Sequence, residues 1–249
     1  MSNKGFGSYN GVSADDAVLM AIGANKVPGV KGATIQSEVP ALAIAGQDMI
    51  RWATTYIWPS DSGESMTLVS TNAADTTPIA VVGLDENFLE RVTLVTLTGL
   101  TPVAVPGLWT RINLLDVVGA VRIVGIVTIN GSGNIYNYIS PNYQVSDVGF
   151  YTSPAGKTAQ ILSAFSSLIT NSGNDSYAKM SISFRQVGGV FKKALGFGLQ
   201  RRGTSAITIH NTIPNSLIGP IDNIIRAEPS GAGLTASVRV ALLLQEPNK

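Results

Sequence analysis

The chain has no cysteine and a single histidine, His210. Without cysteine there is no disulfide framework, no thiolate nucleophile and no Cys-type zinc site. One histidine excludes a multi-His metal site. A serine triad would have to recruit His210, and no G-x-S-x-G elbow is present to hold the serine. Charge is also scarce: 13% of the 249 residues are Asp, Glu, Lys or Arg, against about 25% in an ordinary soluble domain. The net charge of +1 gives no global attraction to nucleic acid or to an anionic membrane. Long apolar runs are missing too. "AVLMAIGA" at 17–24 and "VALLLQ" at 240–245 fall short of the ~20 residues a bilayer requires. The N-terminus "MSNKGFGSYNG" lacks the apolar core of a secretory signal.

Hydrophobic residues are plentiful, at 45%, and mean hydropathy is +0.24. A charge-poor chain of this kind is expected to cover part of its surface with copies of itself or with a partner.

The first fifty residues are rich in Gly, Ala, Ser and Pro. Ser13 can cap one short helix, with Asp15 and Asp16 in its first turn and Ala17 to Ala24 following. Pro28-Gly29, Gly32 and Pro40 then punctuate the chain. The expectation is an extended N-terminal arm over 1–50, ordered against a neighbouring subunit. Its apolar residues Val18, Leu19, Met20, Ile22, Leu42 and Ile44 are candidate partner contacts. Removal of residues 2–45 should then leave a folded body.

From residue 51 the texture is β. Short runs of Val, Ile, Leu, Thr and aromatics recur between Gly, Pro, Asn and Asp. In 177–187, Met180, Ile182 and Phe184 alternate with polar residues. In 234–246, Leu234, Ala236, Val238, Val240, Leu242 and Leu244 share one face. "RIVGIVTI" at 122–129 is apolar on both faces and reads as a central strand. "TINGSGNIY" at 128–136 reads as a hairpin. The fold class is therefore all-β, an antiparallel β-sandwich of jelly-roll type spanning 51–249. A break near 140–156 would divide that body into two packed β subdomains.

"GFYTSPAGKTAQI" at 149–161 contains Gly156-Lys157-Thr158, the end of a phosphate-binding loop. The pattern G-x-x-x-x-G-K-[ST] requires glycine at 151, where Tyr151 stands, and Pro154 removes an amide donor. A β-turn with positive φ at Gly156 is the better reading. Residues 157–169 also place Ile161, Phe165, Leu168 and Ile169 on one helical face, but the β-rich flanks favour a strand. Asp75, Asp85, Glu86, Asp116 and Asp147 are the acids a glycosidase would need to pair. Asp85 and Glu86 read more simply as turn formers. No catalytic residue, metal or cofactor is assigned.

A basic cluster, Arg185, Lys192, Lys193, Arg201 and Arg202, has no acid within it. It offers phosphate contacts with Phe191 and Phe197 interleaved, or docking to an acidic partner, or a strand edge blunted by lysine. Lys192, Lys193, Arg201 and Arg202 are kept as candidate partner contacts, and nucleic acid is the less favoured partner.

Residues 69–119 carry a sequence of features: Ser70, Asp75, Gly83-Leu84-Asp85, Phe88, Glu90, Gly99, Thr101, Val103 and Arg111-Ile112. They resemble a segment of virion structural proteins of tailed bacteriophages. "DVGFYTSPAGKTAQI" is similar to the segment that follows in such proteins. Here Thr76-Thr77-Pro78 is shorter than the Gly-rich turn usual after the Asp. The resemblance implies a β-rich virion component, non-enzymatic and oligomeric, made in the host cytoplasm and located in the virion. Its partners would be further copies and other virion proteins such as the major capsid protein. A head decoration (cement) role is expected first, and a neck, tail or fibre-base role second. A carbohydrate- or receptor-binding module using Trp58, Trp109, Tyr136 and Tyr138 is a further alternative.

Overall fold

The computed structural model describes residues 30–170, 177–200, 204–208, 218–231 and 234–246. Among these every element is a β-strand, and every pairing between named strands is antiparallel. The fold is an all-β, jelly-roll-like sandwich that carries a rolled sheet. No described helix is long and apolar enough to cross a membrane. The helix expected over 13–24 lies outside the described residues.

The chain begins in the sandwich with β1 (Val30–Val39) and β2 (Gln47–Asp48). It then builds the roll from β3 (Glu64–Ser70), β4 (Pro78–Asp85), β5 (Glu90–Thr96), β6 (Val103–Val117), β7 (Val127–Gly131) and β8 (Asn134–Ile139). It returns to the sandwich through β9 (Phe150–Ser153), β10 (Thr158–Thr170), β11 (Tyr177–Gln186), β12 (Lys192–Gln200), β13 (Thr204–Thr208), β14 (Ile221–Pro229) and β15 (Leu234–Gln245).

One sheet of the sandwich runs β1-β15-β10-β13. The other runs β12-β11-β14-β2, with β9 also paired to β14. Alternation drives their packing. Met180, Ile182 and Phe184 on β11 and all six apolar positions of β15 are buried. Met180, Ile182 and the β15 residues meet Ile161, Ala164 and Leu168 of β10 and Ile225 and Ala227 of β14 in one core. The stretch thus forms a strand, Thr158–Thr170, as its flanks favour.

The N-terminal expectation changes from residue 30 onward. β1 pairs with β15 along its whole length. Ile35, Val39, Leu42 and Met49 belong to the sandwich core. Leu42, expected as a partner contact, is therefore an internal residue. Removal of residues 2–45 would strip β1 from β15 and open that core.

The roll is a six-stranded sheet in the order β5-β4-β6-β3-β7-β8. It curls around its own core, which includes Met66, Leu68, Val81, Trp109, Leu115 and Ile129. β7 and β8 form the hairpin expected over 128–136. Its turn residues Ser132 and Gly133 both have positive φ, +47° and +78°, which suits the twist of the strands they join. "RIVGIVTI" is an interior strand only over residues 127–129, in β7 between β3 and β8. Only its end enters β7, and Val124 is exposed. β6 slips register against β4 between Val82 and Gly83. A Cβ on Gly83 would lie 2.1 Å from the Arg111 carbonyl oxygen, so only glycine fits that crossing. Residues 109–113 of β6 are consecutively buried, because the roll's core lies on one side and the sandwich on the other.

Candidate functional site

Roll and sandwich meet in two different ways. On one side the seam is filled. Residues 49–59, between β2 and β3, lay Trp52, Tyr56 and Trp58 against Phe150 of β9 and Phe191. Tyr56 stacks on Phe150 with centroids 3.9 Å apart and meets Trp58 edge-on at 4.7 Å. The Tyr56 hydroxyl donates to the Tyr136 carbonyl (3.0 Å), and Trp52 Nε1 donates to the Ile135 carbonyl (3.1 Å). Both acceptors are on β8.

Beside these rings lies a buried charged group. Arg111 of β6 and Asp222 of β14 are 1% and 0% exposed. Arg111 Nε and Nη2 donate to the two oxygens of Asp222 at 2.8 and 3.1 Å. Nη2 also reaches Asp61 (2.8 Å), and Nη1 donates to the Thr110 carbonyl (2.6 Å). Asp222 further accepts from Thr152 Oγ1 (2.7 Å) and Arg185 Nε (2.9 Å). Burial alone would lower the Arg111 pKa, but the carboxylates of Asp222 and Asp61 outweigh it and hold it above the ordinary value. Both guanidinium groups lie over Trp58, at 5.1 and 5.3 Å. Asn113 and Thr152 exchange two hydrogen bonds alongside, at 2.8 and 2.9 Å. Each of these side chains is bonded to another residue of the protein, and Arg111 of the roll meets Asp222 of the sandwich, so the cluster acts as a clamp between the two bodies.

The other side is open. A cleft of about 450 Å³ lies between β1 and the outer face of the roll. Val82, Val92, Leu114, Val145 and Val148 give it an apolar wall. Lys31 and Glu90 form an ion pair at its rim. The apolar wall continues outward along the roll. Ala80 and Leu94 are paired in register, as are Val82 and Val92, so these side chains share the outer face. Val92 and Leu94 are 60% and 64% exposed. β5 is an edge strand whose charges, Glu90 and Arg91, are confined to its first two residues.

A third cluster ties the segment after β8 to β1. Asp147 accepts from the Glu38 amide (2.9 Å) and pairs with Arg51 (3.0 Å), which also contacts Glu38 (3.5 Å). Burial pushes the Asp147 carboxyl up to about 6, although Arg51 opposes it.

The expected site residues divide as follows. Val18, Leu19, Met20, Ile22, Arg201, Arg202 and His210 lie outside the described residues. Ile44 is exposed. Lys192 and Lys193 are exposed at the start of β12, an edge strand, where lysine discourages edge pairing. Arg185 does not join them. It is turned inward to Asp222, with Phe191 4.6 Å from its guanidinium. Gly156 has φ +72° in a turn closed by the Lys157 amide on the Pro154 carbonyl. Lys157 Nζ pairs with Glu246 at 2.7 Å. The acids do not converge. Asp85 caps its own turn through the amides of Asn87 and Leu89. Asp75 accepts from Ser70 and from the amides of Val124 and Gly125. Burial raises its pKa, but those donors win and leave it below the ordinary value. Trp109 and Tyr136 are core residues, while Trp58 and Tyr138 are packed against other rings. No exposed aromatic platform arises from these four.

No family model matches the chain, and no curated protein does. Among solved structures it is similar to the infectious bursal disease virus VP2 subviral particle, at 11% identity and a TM-score of 0.26, over 88% of this chain and 72% of that one. It is also similar to the infectious bursal disease virus Gt strain structure, at 10% identity and a TM-score of 0.22, over 88% and 77%.

Proposed function

We propose that the protein is a non-enzymatic structural component of a bacteriophage particle, a head decoration protein that joins copies of itself and the major capsid protein. The observation that carries this reading is the apolar outer face of the roll, which nothing among the described residues covers at Val92 and Leu94, on the edge strand β5. Exposed apolar surface of that kind marks an interaction site. A chain with 13% charged residues has little else with which to solvate it. The sequence resemblance of residues 69–119 to phage virion proteins supplies the setting, and this face lies within that segment. The clustered polar groups support the same reading, because they are spent on holding the two bodies together. Closed symmetry would multiply weak contacts at the face.

Light scattering of the purified chain tests the self-association, and mass spectrometry of purified particles tests the location. The expected results are a multimer in solution and many copies per particle. Leu94→Lys should shift the multimer to monomer without lowering the melting temperature. A wild-type chain that is monomeric and absent from particles would overturn the reading. About a dozen copies per particle would move the role to the neck or tail.

A further inference from the structure

Charge is scarce in this chain, and around the roll most of it is matched. Lys31 holds Glu90, Arg91 lies 4.0 Å from Glu86, and Arg111 holds Asp61 and Asp222. Asp75 and Asp85 accept from backbone amides. Two charges of the roll differ. Asp116 and Arg122 have no ion pair or side-chain hydrogen bond among the described residues.

Strand register places Asp116 within the apolar outer face. It is paired with Ala80 of β4, which is paired with Leu94 of β5, and on its other side it bridges to Val145. Side chains directly opposite one another share a face, so these four form one row across the sheet. A half-buried carboxylate thus stands among aliphatic neighbours, of which Leu94 and Val145 are exposed. Arg122 lies beside this row, on the loop after β6. The side chain of Gln144, next to Val145, donates to the carbonyls of Gly119 and Val121. The amides of Val124 and Gly125 are fixed on Asp75. The loop backbone is held from both sides, while Val118, Val121, Arg122 and Val124 are left exposed. The face therefore carries one unmatched anion inside it and one unmatched cation at its margin.

We infer that two copies of the chain dock through this face about a two-fold axis, with Asp116 of each copy opposite Arg122 of the other. The inference rests on the reading of this face as a self-association surface, and gives that surface a geometry. In a two-fold contact the same patch serves both partners, so each residue of a contacting pair meets its counterpart twice. A second copy supplies a cation for Asp116 and an anion for Arg122 by symmetry alone. Apolar association without that match would bury the Asp116 carboxylate unpaired, which is costly. The two ion pairs also fix the register of the docked faces and disfavour slipped arrangements.

A charge swap tests the geometry, with the dimer dissociation constant read by light scattering over a dilution series. D116R alone and R122D alone each set like charges together at both contacts, because the substitution occurs twice in the dimer. Each should weaken dimerisation by about tenfold or more. D116R and R122D combined should restore it, and this double variant should not pair with the wild type. Single variants that dimerise as the wild type does, or a double variant no tighter than the singles, overturn the inference. Neutral variants separate docking from folding. D116N and R122Q should each weaken the dimer at an unchanged melting temperature, and the two together should weaken it no more than either alone. Additive losses overturn the inference. A wild-type dimer that obeys the swap but is absent from purified particles leaves the inference standing and removes the functional reading. A chain present in particles but monomeric, or insensitive to the swap, does the reverse.

Discussion

The two bodies touch on a filled side and face each other across an open one. On the filled side, Tyr56, Trp58 and Phe150 interlock and Arg111 meets Asp222 with both charges buried. On the open side, an ion pair between Lys31 and Glu90 spans the rim of a cleft with apolar walls. Both sides use the same strand, β6, whose register slip sends Arg111 to one and whose Leu114 lines the other. The filled side fixes how roll and sandwich are arranged. The open side leaves apolar surface that nothing among the described residues covers. Interactions of equal formal charge should therefore differ widely in energetic weight.

The largest effect is expected on the filled side. Asp222→Ala leaves the Arg111 guanidinium buried with Asp61 as its remaining carboxylate, and Arg185 loses its partner. Removing one member of a buried pair costs about 3–5 kcal/mol. Urea unfolding should show that loss. Replacing the pair together, with Arg111→Met and Asp222→Leu, should recover most of it, because the desolvation cost of both charges disappears. A double variant no more stable than the single one would mean that the network holds the seam through its hydrogen bonds rather than through charge compensation.

The Asp147 cluster is intermediate. Its carboxyl is raised from an ordinary 3.8 to about 6 by burial. For an acid raised on folding, the folded state binds the extra proton. Its contribution to stability is thus greatest below the unfolded pKa and is lost as pH rises through the folded one. Between about pH 4 and 6 the wild type should lose on the order of 2 kcal/mol relative to Asp147→Asn, and the difference should be flat above that window. Parallel stability curves for the two proteins would show that Arg51 compensates the carboxylate fully.

What the sequence revealed follows from how regular each strand is. β11 and β15 alternate without interruption, so their buried faces were legible residue by residue. β14, "IDNIIRAEP", is not among the strands read from sequence, because residues 221–225 are consecutively buried and include Asp222 and Asn223. β1 has only Ile35, Ser37 and Val39 as its buried alternation, behind Gly32 and Thr34, and reads as part of an arm. "RIVGIVTI" misled in the opposite sense, since Val124 is apolar but exposed. The pairing of Arg111 with Asp222 spans 111 positions, and nothing local joins them. One signal was present: each charge sits within an apolar run, "LWTRINLL" and "IDNII", where an unpaired charge would be costly. The outer face of the roll was hidden because Val82, Val92 and Leu94 look like any core positions. Only the sheet order shows that nothing described covers them.

The smallest effect is expected at the rim of the cleft, and it is the sharpest test of the contrast. Lys31 and Glu90 have side chains 50% and 33% exposed. Water and salt screen such a pair, and ordering two long side chains offsets part of the attraction. Lys31→Ala should lower unfolding stability by less than about 0.5 kcal/mol at physiological salt. The residual difference should vanish at about 1 M salt, where the screening length falls to ~3 Å. Urea unfolding of the two proteins at both ionic strengths reads this directly. A loss comparable to that of Asp222→Ala would show that the rim pair is desolvated and that the cleft is already closed, and the distinction between a fixed and an open side would fail.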